Sequence, residues 1–358
     1  MWRGPGRFPC DHPSAQQVNG GSVMRNRIAA VLAVALLTLA GGATAAAAQQ
    51  VPGSATVPHV YLIMGENTEI TQVNKNNAPY LLNTLKPEGT WLTNYFALTH
   101  FSEANYVGMT AGQFDKCQQF DGSAASCHRP WDNLFHQMDG AGVSWQSWME
   151  SMPSPCALSS SGAAKTQDHY GAKHNPAIFF DNIEGTFDGT QYVWSATNPS
   201  QECINNDLPA GQTNPVLAND MSAFNTAAGH ADFNLVVPNE CEDAHDNCQP
   251  QKTAIAQFDT FLSNEVPAIQ AFDRGATIII TFDEGTSNKG PSNSKQFAGG
   301  GNVVFLAIGP GVGANHTDST PSNHYGLLKT LEACYGLGAL SGASTGYDAA
   351  TPISGVCP

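Results

Sequence analysis

The sequence predicts an α/β sandwich, a mostly parallel central sheet flanked by helices. Three observations carry that prediction. Four apolar runs, His59–Met64, Phe233–Val237, Ala276–Phe282 and Val303–Ile308, are nearly continuous in aliphatic and β-branched residues, as strands buried on both faces are. Segments with helical spacing fall between them. Carboxylates and amides follow three of the runs directly, where open α/β sheets place their ligands.

The elements justify themselves in chain order. Met24-Arg25-Asn26-Arg27, the apolar run Ile28–Ala40 and the small residues up to Ala48 have the layout of a secretory signal peptide. Residues 1–23 are then expected to come from a start read too early, 24–48 to be the leader, and 49–358 to form a single domain. His59–Met64 is the first strand and Ala78–Leu85 the first helical stretch. In Thr99–Gly112, His100, Ser102, Glu103 and Asn105 precede small residues, which reads as a helix with Ser102 as its N-cap. A helix over Trp131–Met138 leads to a fifth strand, Val143–Met149. Two polar, turn-rich stretches, Ser151–Asp168 and Glu184–Gly229, interrupt the alternation before Phe233–Val237. A helix over Thr253–Ile269, the strands Ala276–Phe282 and Val303–Ile308, and a helix over Tyr325–Tyr335 complete it.

Composition excludes several partners. The 358 residues carry a net charge of −15, and four Arg and one Asp precede residue 49, so the remainder is near −18. Without clustered Lys and Arg, nucleic acid is not an expected partner. No run after the leader is long enough for stable membrane insertion. Beyond Cys10, eight Cys remain: Cys117, Cys127, Cys156, Cys203, Cys241, Cys248, Cys334 and Cys357. That even number, in an exported chain, points to disulfides and a secreted, periplasmic or extracellular location. Cys117–Cys127 and Cys241–Cys248 are the favoured short-loop pairs.

Three strand ends deliver the chemistry. His59–Met64 is followed by Glu66-Asn67, Phe233–Val237 by Asn239, Asp243, His245 and Asp246, and Ala276–Phe282 by Asp283-Glu284. Adjacent carboxylates at a strand end repel unless a cation lies between them, so a divalent metal ion is expected, its identity left open. Beside it, Ser102 would become a nucleophile. His174 and His324 join the set, whereas His100, His169, His230 and His316 read as structural or surface residues.

In this order the blocks resemble the bacterial phosphoesterase family of secreted acid phosphatases and phospholipases C, within the alkaline-phosphatase superfamily. Within it they are most similar to mycobacterial-type secreted members that act on phosphatidylinositol 3-phosphate. The matching blocks are Glu66-Asn67-Thr68-Glu69, Thr99 to Tyr106, Pro238-Asn239 through Asp243, His245 and Asp246, Asp283-Glu284, and Asn323-His324-Tyr325. The resemblance implies Ser102 as nucleophile, Asn105 as the amide holding a phosphate oxygen, and Glu66, Asn67, Asp283 and Glu284 as the metal and phosphate pocket. It implies His174, His245 and His324 as surrounding histidines, with Asp243 and Asp246 orienting them or binding metal. Phe101 and Ala104 stand where the family has prolines, and Thr286-Ser287-Asn288 lacks a further acid common in relatives.

The expected activity is a secreted, metal-dependent phosphomonoesterase working at acid pH through a phosphoserine, on soluble phosphate esters or phosphoinositides. One ion is expected, held by Glu66, Asp283 and Glu284, with His245 or His324 as the proton donor. In a two-metal alternative, Asp243, His245 and His324 are ligands instead. A phospholipase C or other phosphodiesterase would use the same residues, and a secreted metal-binding protein without catalysis is the reading from another class. Oligomeric state is left open.

Overall fold

The structure, a computed structural model, describes residues 57–211, 220–248, 253–290 and 299–357. The expected early start and leader lie outside the described residues. Eight strands form the central sheet: β1 (Val60–Gly65), β2 (Gly89–Leu92), β3 (Trp145–Met149), β4 (Asp207–Pro209), β5 (Phe233–Val237), β6 (Thr277–Phe282), β7 (Phe305–Ile308) and β8 (His316–Asp318). Their order is β8-β2-β7-β6-β1-β5-β3-β4. β7 is antiparallel to both neighbours and the other pairings are parallel. β1, β5 and β6 lie side by side at the centre with every residue buried, so their carboxyl ends, and the polar residues that follow, meet in one place.

All five expected strands are present, with small shifts of their ends. β3 begins at Trp145 because the Ser144 N–H donates to the Asp232 carboxylate (2.8 Å) instead of pairing. β2, β4 and β8 were not expected. The helices are α1 (Ser102–Ala111), α2 (Leu134–Ala141), α3 (Ala254–Phe272) and α4 (His324–Cys334). The stretch expected over Ala78–Leu85 becomes a wide turn at Leu81–Leu85, since the Tyr80 and Leu81 N–H groups donate to Asp259 of α3 (3.0 and 2.8 Å).

All eight cysteines are paired, as Cys117–Cys127, Cys156–Cys203, Cys241–Cys248 and Cys334–Cys357. Among the described residues, no helix is long and apolar enough to cross a membrane.

Candidate active site

Ser102 is not an N-cap: it is the first residue of α1, and the cap position belongs to Phe101, at φ 80° and ψ 116°. That left-handed backbone is costly for an aromatic residue. It is held from two sides, the Phe101 N–H donating to Glu284 Oε1 (3.1 Å) and its carbonyl accepting from Asn105 Nδ2 (3.3 Å). The result directs Ser102 Oγ back across the sheet end, where it donates to Glu66 Oε2 at 3.1 Å.

Beneath Ser102 the three strand ends converge. Glu66, Asp243 and Asp283 are each fully buried. Backbone links lock them together: Glu66 N donates to the Asp243 carbonyl (2.7 Å) and Asp283 N to the Gly65 carbonyl (2.9 Å). Asn67 N donates to Asp283 Oδ1 (3.0 Å), and the Asn67 amide to Glu66 Oε2 (3.3 Å). His174, in a short turn at Ala172–His174, sits 3.4 Å from Glu66 Oε1 and 3.5 Å from Asp243 Oδ2, with Tyr106 of α1 stacked on its ring.

The electrostatics follow from this crowding. Burial, reinforced by Asp283 and Asp243, pushes the Glu66 carboxyl well up, and burial does the same to Asp243 and Asp283. Burial and the neighbouring Lys173 charge hold His174 neutral. Glu66 Oε1, Asp243 Oδ2, Asp283 Oδ2 and His174 Nε2 are buried with no hydrogen-bond partner. Such atoms are costly to leave unpaired, and three carboxylate oxygens with one imidazole nitrogen are the donor chemistry of a divalent cation. The residues fit one.

A cleft of about 420 Å³ opens over this cluster, lined by Ser102, Asn67, His100, Phe101, Asp121, Lys173, His245 and Glu284 among others. The other expected site residues divide by where the fold puts them. Asn105 does not face the cleft: its carbonyl accepts from the Leu98 and Thr99 N–H groups, and its two amide hydrogens go to the Thr99 and Phe101 carbonyls. His324 is buried behind Asp283, its Nε2 donating to the Asp283 carbonyl (2.6 Å) and its Nδ1 facing the Tyr95 hydroxyl (2.9 Å). Burial lowers its pKa to about 4, so it is neutral and braces the strand end. Glu284 lines the cleft, but its oxygens hold Phe101 N and His100 Nδ1 (2.6 Å). Burial and the Asp283 charge raise it to about 9. Asp246 belongs to a neighbouring cluster with His169 and Glu240. There it faces His245 Nδ1 at 3.2 Å.

Sequence reasoning set aside His100 and His169, which both face carboxylates here, and missed Lys173. The Lys173 ammonium is charged because Glu66, Asp121, Glu240 and Asp283 outweigh the opposing effect of burial. The signal was its place beside His174 in Lys-His-Asn-Pro. Gly171 just before it is required: a Cβ there would come within 2.5 Å of Glu240 Oε1 and 3.1 Å of His174 Nδ1.

A serine at a helix head thus stands beside buried carboxylates at the carboxyl end of a mostly parallel sheet. The chain belongs to the Phosphoesterase family, whose profile matches residues 46–338. That family places it among hydrolases acting on phosphoric esters. It is 25% identical over 329 residues to the phosphatidylinositol-3-phosphatase of Mycobacterium tuberculosis, covering 90% of each chain. It is also 25% identical over 266 residues to the phosphate-repressible acid phosphatase of Penicillium chrysogenum. That alignment takes in 72% of this chain and spans about half, 55%, of the fungal protein. A solved structure from the glycosaminoglycan metabolism of Bacteroides thetaiotaomicron shares the fold, with a TM-score of 0.50, 12% identity, and coverage of 82% of this chain and 80% of that one.

Proposed function

We propose that the chain is an exported, metal-dependent phosphomonoesterase that works through a phosphoserine on Ser102. One observation carries the reading: Ser102 Oγ, at the head of α1, faces Glu66 at 3.1 Å, above three buried carboxylates that each keep an oxygen without a hydrogen-bond partner. Glu66, Asp243 and Asp283, with His174 beside them, would hold a divalent cation, which when bound supplies positive charge for phosphoryl oxygens and favours the ionised serine. The chain's own groups do the rest. Glu66 orients the hydroxyl, and the positive end of the α1 dipole faces the phosphoryl group. Ser102 Oγ gives its proton to Glu66 Oε2, which accepts its hydrogen bond, and attacks phosphorus in line as the bond to the leaving alcohol oxygen breaks. His174 and His324 are buried and neutral, so His245, the one expected histidine lining the cleft, gives the leaving oxygen its proton. Water then attacks the phosphoserine and releases inorganic phosphate.

A lipid phosphate is the favoured substrate, with a phosphoinositide first. The name of the mycobacterial relative supports this, and so does an apolar rim. Phe101 on the cleft wall and Phe120 beside it stand edge to face at 5.6 Å, 41% and 61% exposed. Pairing of all eight cysteines supports export through the leader at 24–48.

The test is acid-quenched protein with excess p-nitrophenyl phosphate. One added phosphate on the peptide containing Ser102 is expected, and label on a histidine instead would refute the mechanism. A panel of p-nitrophenyl phosphate, bis-p-nitrophenyl phosphate, phosphatidylinositol 3-phosphate and phosphatidylcholine separates the monoesterase from a phosphodiesterase or phospholipase C. Turnover of none, by protein that still binds a cation, would leave the non-catalytic reading.

A further inference from the structure

We propose that Lys173 is the group that recognises the second negative charge of a phosphomonoester, and so sets monoester over diester at this site. The inference rests on the phosphoesterase reading and deepens it. It begins with an under-coordinated ammonium. Lys173 Nζ lies 3.3 Å from His245 Nε2 and 3.9 Å from Asp121 Oδ2, and these are its polar contacts among the described residues. The first is a long hydrogen bond and the second is beyond one. An ammonium carries three N–H donors and accepts nothing. At least two donors are therefore free, on a side chain only 26% exposed, in the wall of the cleft that holds Ser102.

Both supports of the ammonium are themselves anchored. Asp121, at φ 47° in the loop closed by Cys117–Cys127, accepts from the Glu103 N–H of α1 (3.1 Å), which ties it to the turn that carries Ser102. His245 Nδ1 faces Asp246 (3.2 Å) and Glu240 (3.4 Å), so its Nε2 is aimed at Lys173. Asp121 and His245 are positioning residues for the lysine.

Charge then decides what the free donors meet. Among the described residues lining the cleft, Lys173 is the sole lysine or arginine, against Asp121 and Glu284. Once ionised a second time, at about pH 6, a monoester brings one more negative charge than a diester, and the added charge has this ammonium to pair with. Charge-assisted bonds of that kind are the stronger ones. When the Lys173 donors turn to phosphoryl oxygens, His245 Nε2, which accepts from the ammonium in this structure, is also freed to take a proton from solvent and pass it to the leaving oxygen.

The experiment compares Lys173→Met and Lys173→Arg with the wild type on p-nitrophenyl phosphate and bis-p-nitrophenyl phosphate. Removing one preorganised donor from a developing charge costs on the order of 100–1,000-fold. Lys173→Met is expected to lose about that much kcat/KM on the monoester and at least tenfold less on the diester, with Lys173→Arg recovering most of the loss. Equal losses on the two esters, which a merely structural lysine would give, overturn the proposal, as does a monoester rate within about threefold of wild type. A second arm needs no turnover: inorganic phosphate is titrated into Ser102→Ala protein with and without Lys173→Met. At least tenfold weaker binding is expected, and unchanged binding overturns the assignment. Wild-type protein that hydrolyses neither ester would overturn the phosphoesterase reading, while the phosphate titration still decides on Lys173. Lys173→Gln replaces the methionine variant if that one does not fold.

Discussion

Glu103, the residue after the proposed nucleophile, makes the stability of this protein depend on pH in a way that one substitution should abolish. It is the second residue of α1 and 0% exposed, and neither of its carboxylate oxygens has a hydrogen-bond partner. Burial, reinforced by Asp121 and opposed by Arg129, raises its pKa from the ordinary 4.5 to about 9. The sign follows from linkage. A carboxyl whose folded pKa lies above its unfolded one contributes its full stability below 4.5, and loses it as pH rises towards 9. The loss is about 1.4 kcal/mol per pH unit, or about 3 kcal/mol by pH 7. The α1 dipole favours an anion here by only about 0.3–1 kcal/mol, so burial wins. Glu103→Gln stays neutral in both states. Urea unfolding at pH 4.5, 5.5, 6.5 and 7.5 should show the variant close to wild type at the lowest pH and about 3 kcal/mol more stable near neutrality. Parallel stability curves for the two proteins would refute the reasoning.

Chelation should abolish phosphatase activity, and adding back a divalent cation should restore both activity and stability, by about 2.7 kcal/mol at a hundredfold excess over Kd. Chelated protein with unchanged activity and unfolding midpoint would remove the cation from the reading. Replacing Cys156 and Cys203 by Ala opens a loop of 47 residues, which should cost about 4 kcal/mol in urea unfolding. Thiol titration of denatured, unreduced protein should find none of the eight paired cysteines free, and four or more free thiols would contradict the pairing.

The parts of the fold that were legible are those where burial on both faces removes ambiguity. β1, β5 and β6 are continuous apolar runs, and their place at the centre of the sheet is what a continuous run demands. The missed strands are short and mixed. His316–Asp318 is an edge strand of polar residues, and Asp207–Pro209 ends in a proline that an edge position tolerates. Neither carries a periodicity to read.

The site divides in the same way. Glu66 and Asp283, which strand ends place directly, and Asp243, in the loop after β5, are brought together beneath Ser102. Where side-chain direction decides, spacing did not suffice. Asn105 and His324 lie in the expected blocks, yet their polar atoms are taken up by backbone carbonyls and N–H groups or by Tyr95. Lys173 went unnoticed because a lysine in a loop reads as solvated. Only the carboxylates around it make it unusual.

Those carboxylates also connect the site to the rest of the chain. Glu66, Asp243 and Asp283 are not alone in being pushed up by burial: Asp207 and Glu242 are raised to about 7, and Glu202 to about 8. Each such group favours the folded state at low pH and weakens it as pH rises, by the argument made for Glu103. At the sheet end a cation can take the place of those protons. At Asp207, where the Asn175 amide donates to one oxygen and the other has no partner, it is the proton that relieves the cost. A chain built this way tolerates its buried acids in two circumstances, acid surroundings or a filled metal site. The proposed activity needs the second and is expected to operate in the first. An acid optimum would then owe as much to how the protein stays folded as to the proton that His245 delivers.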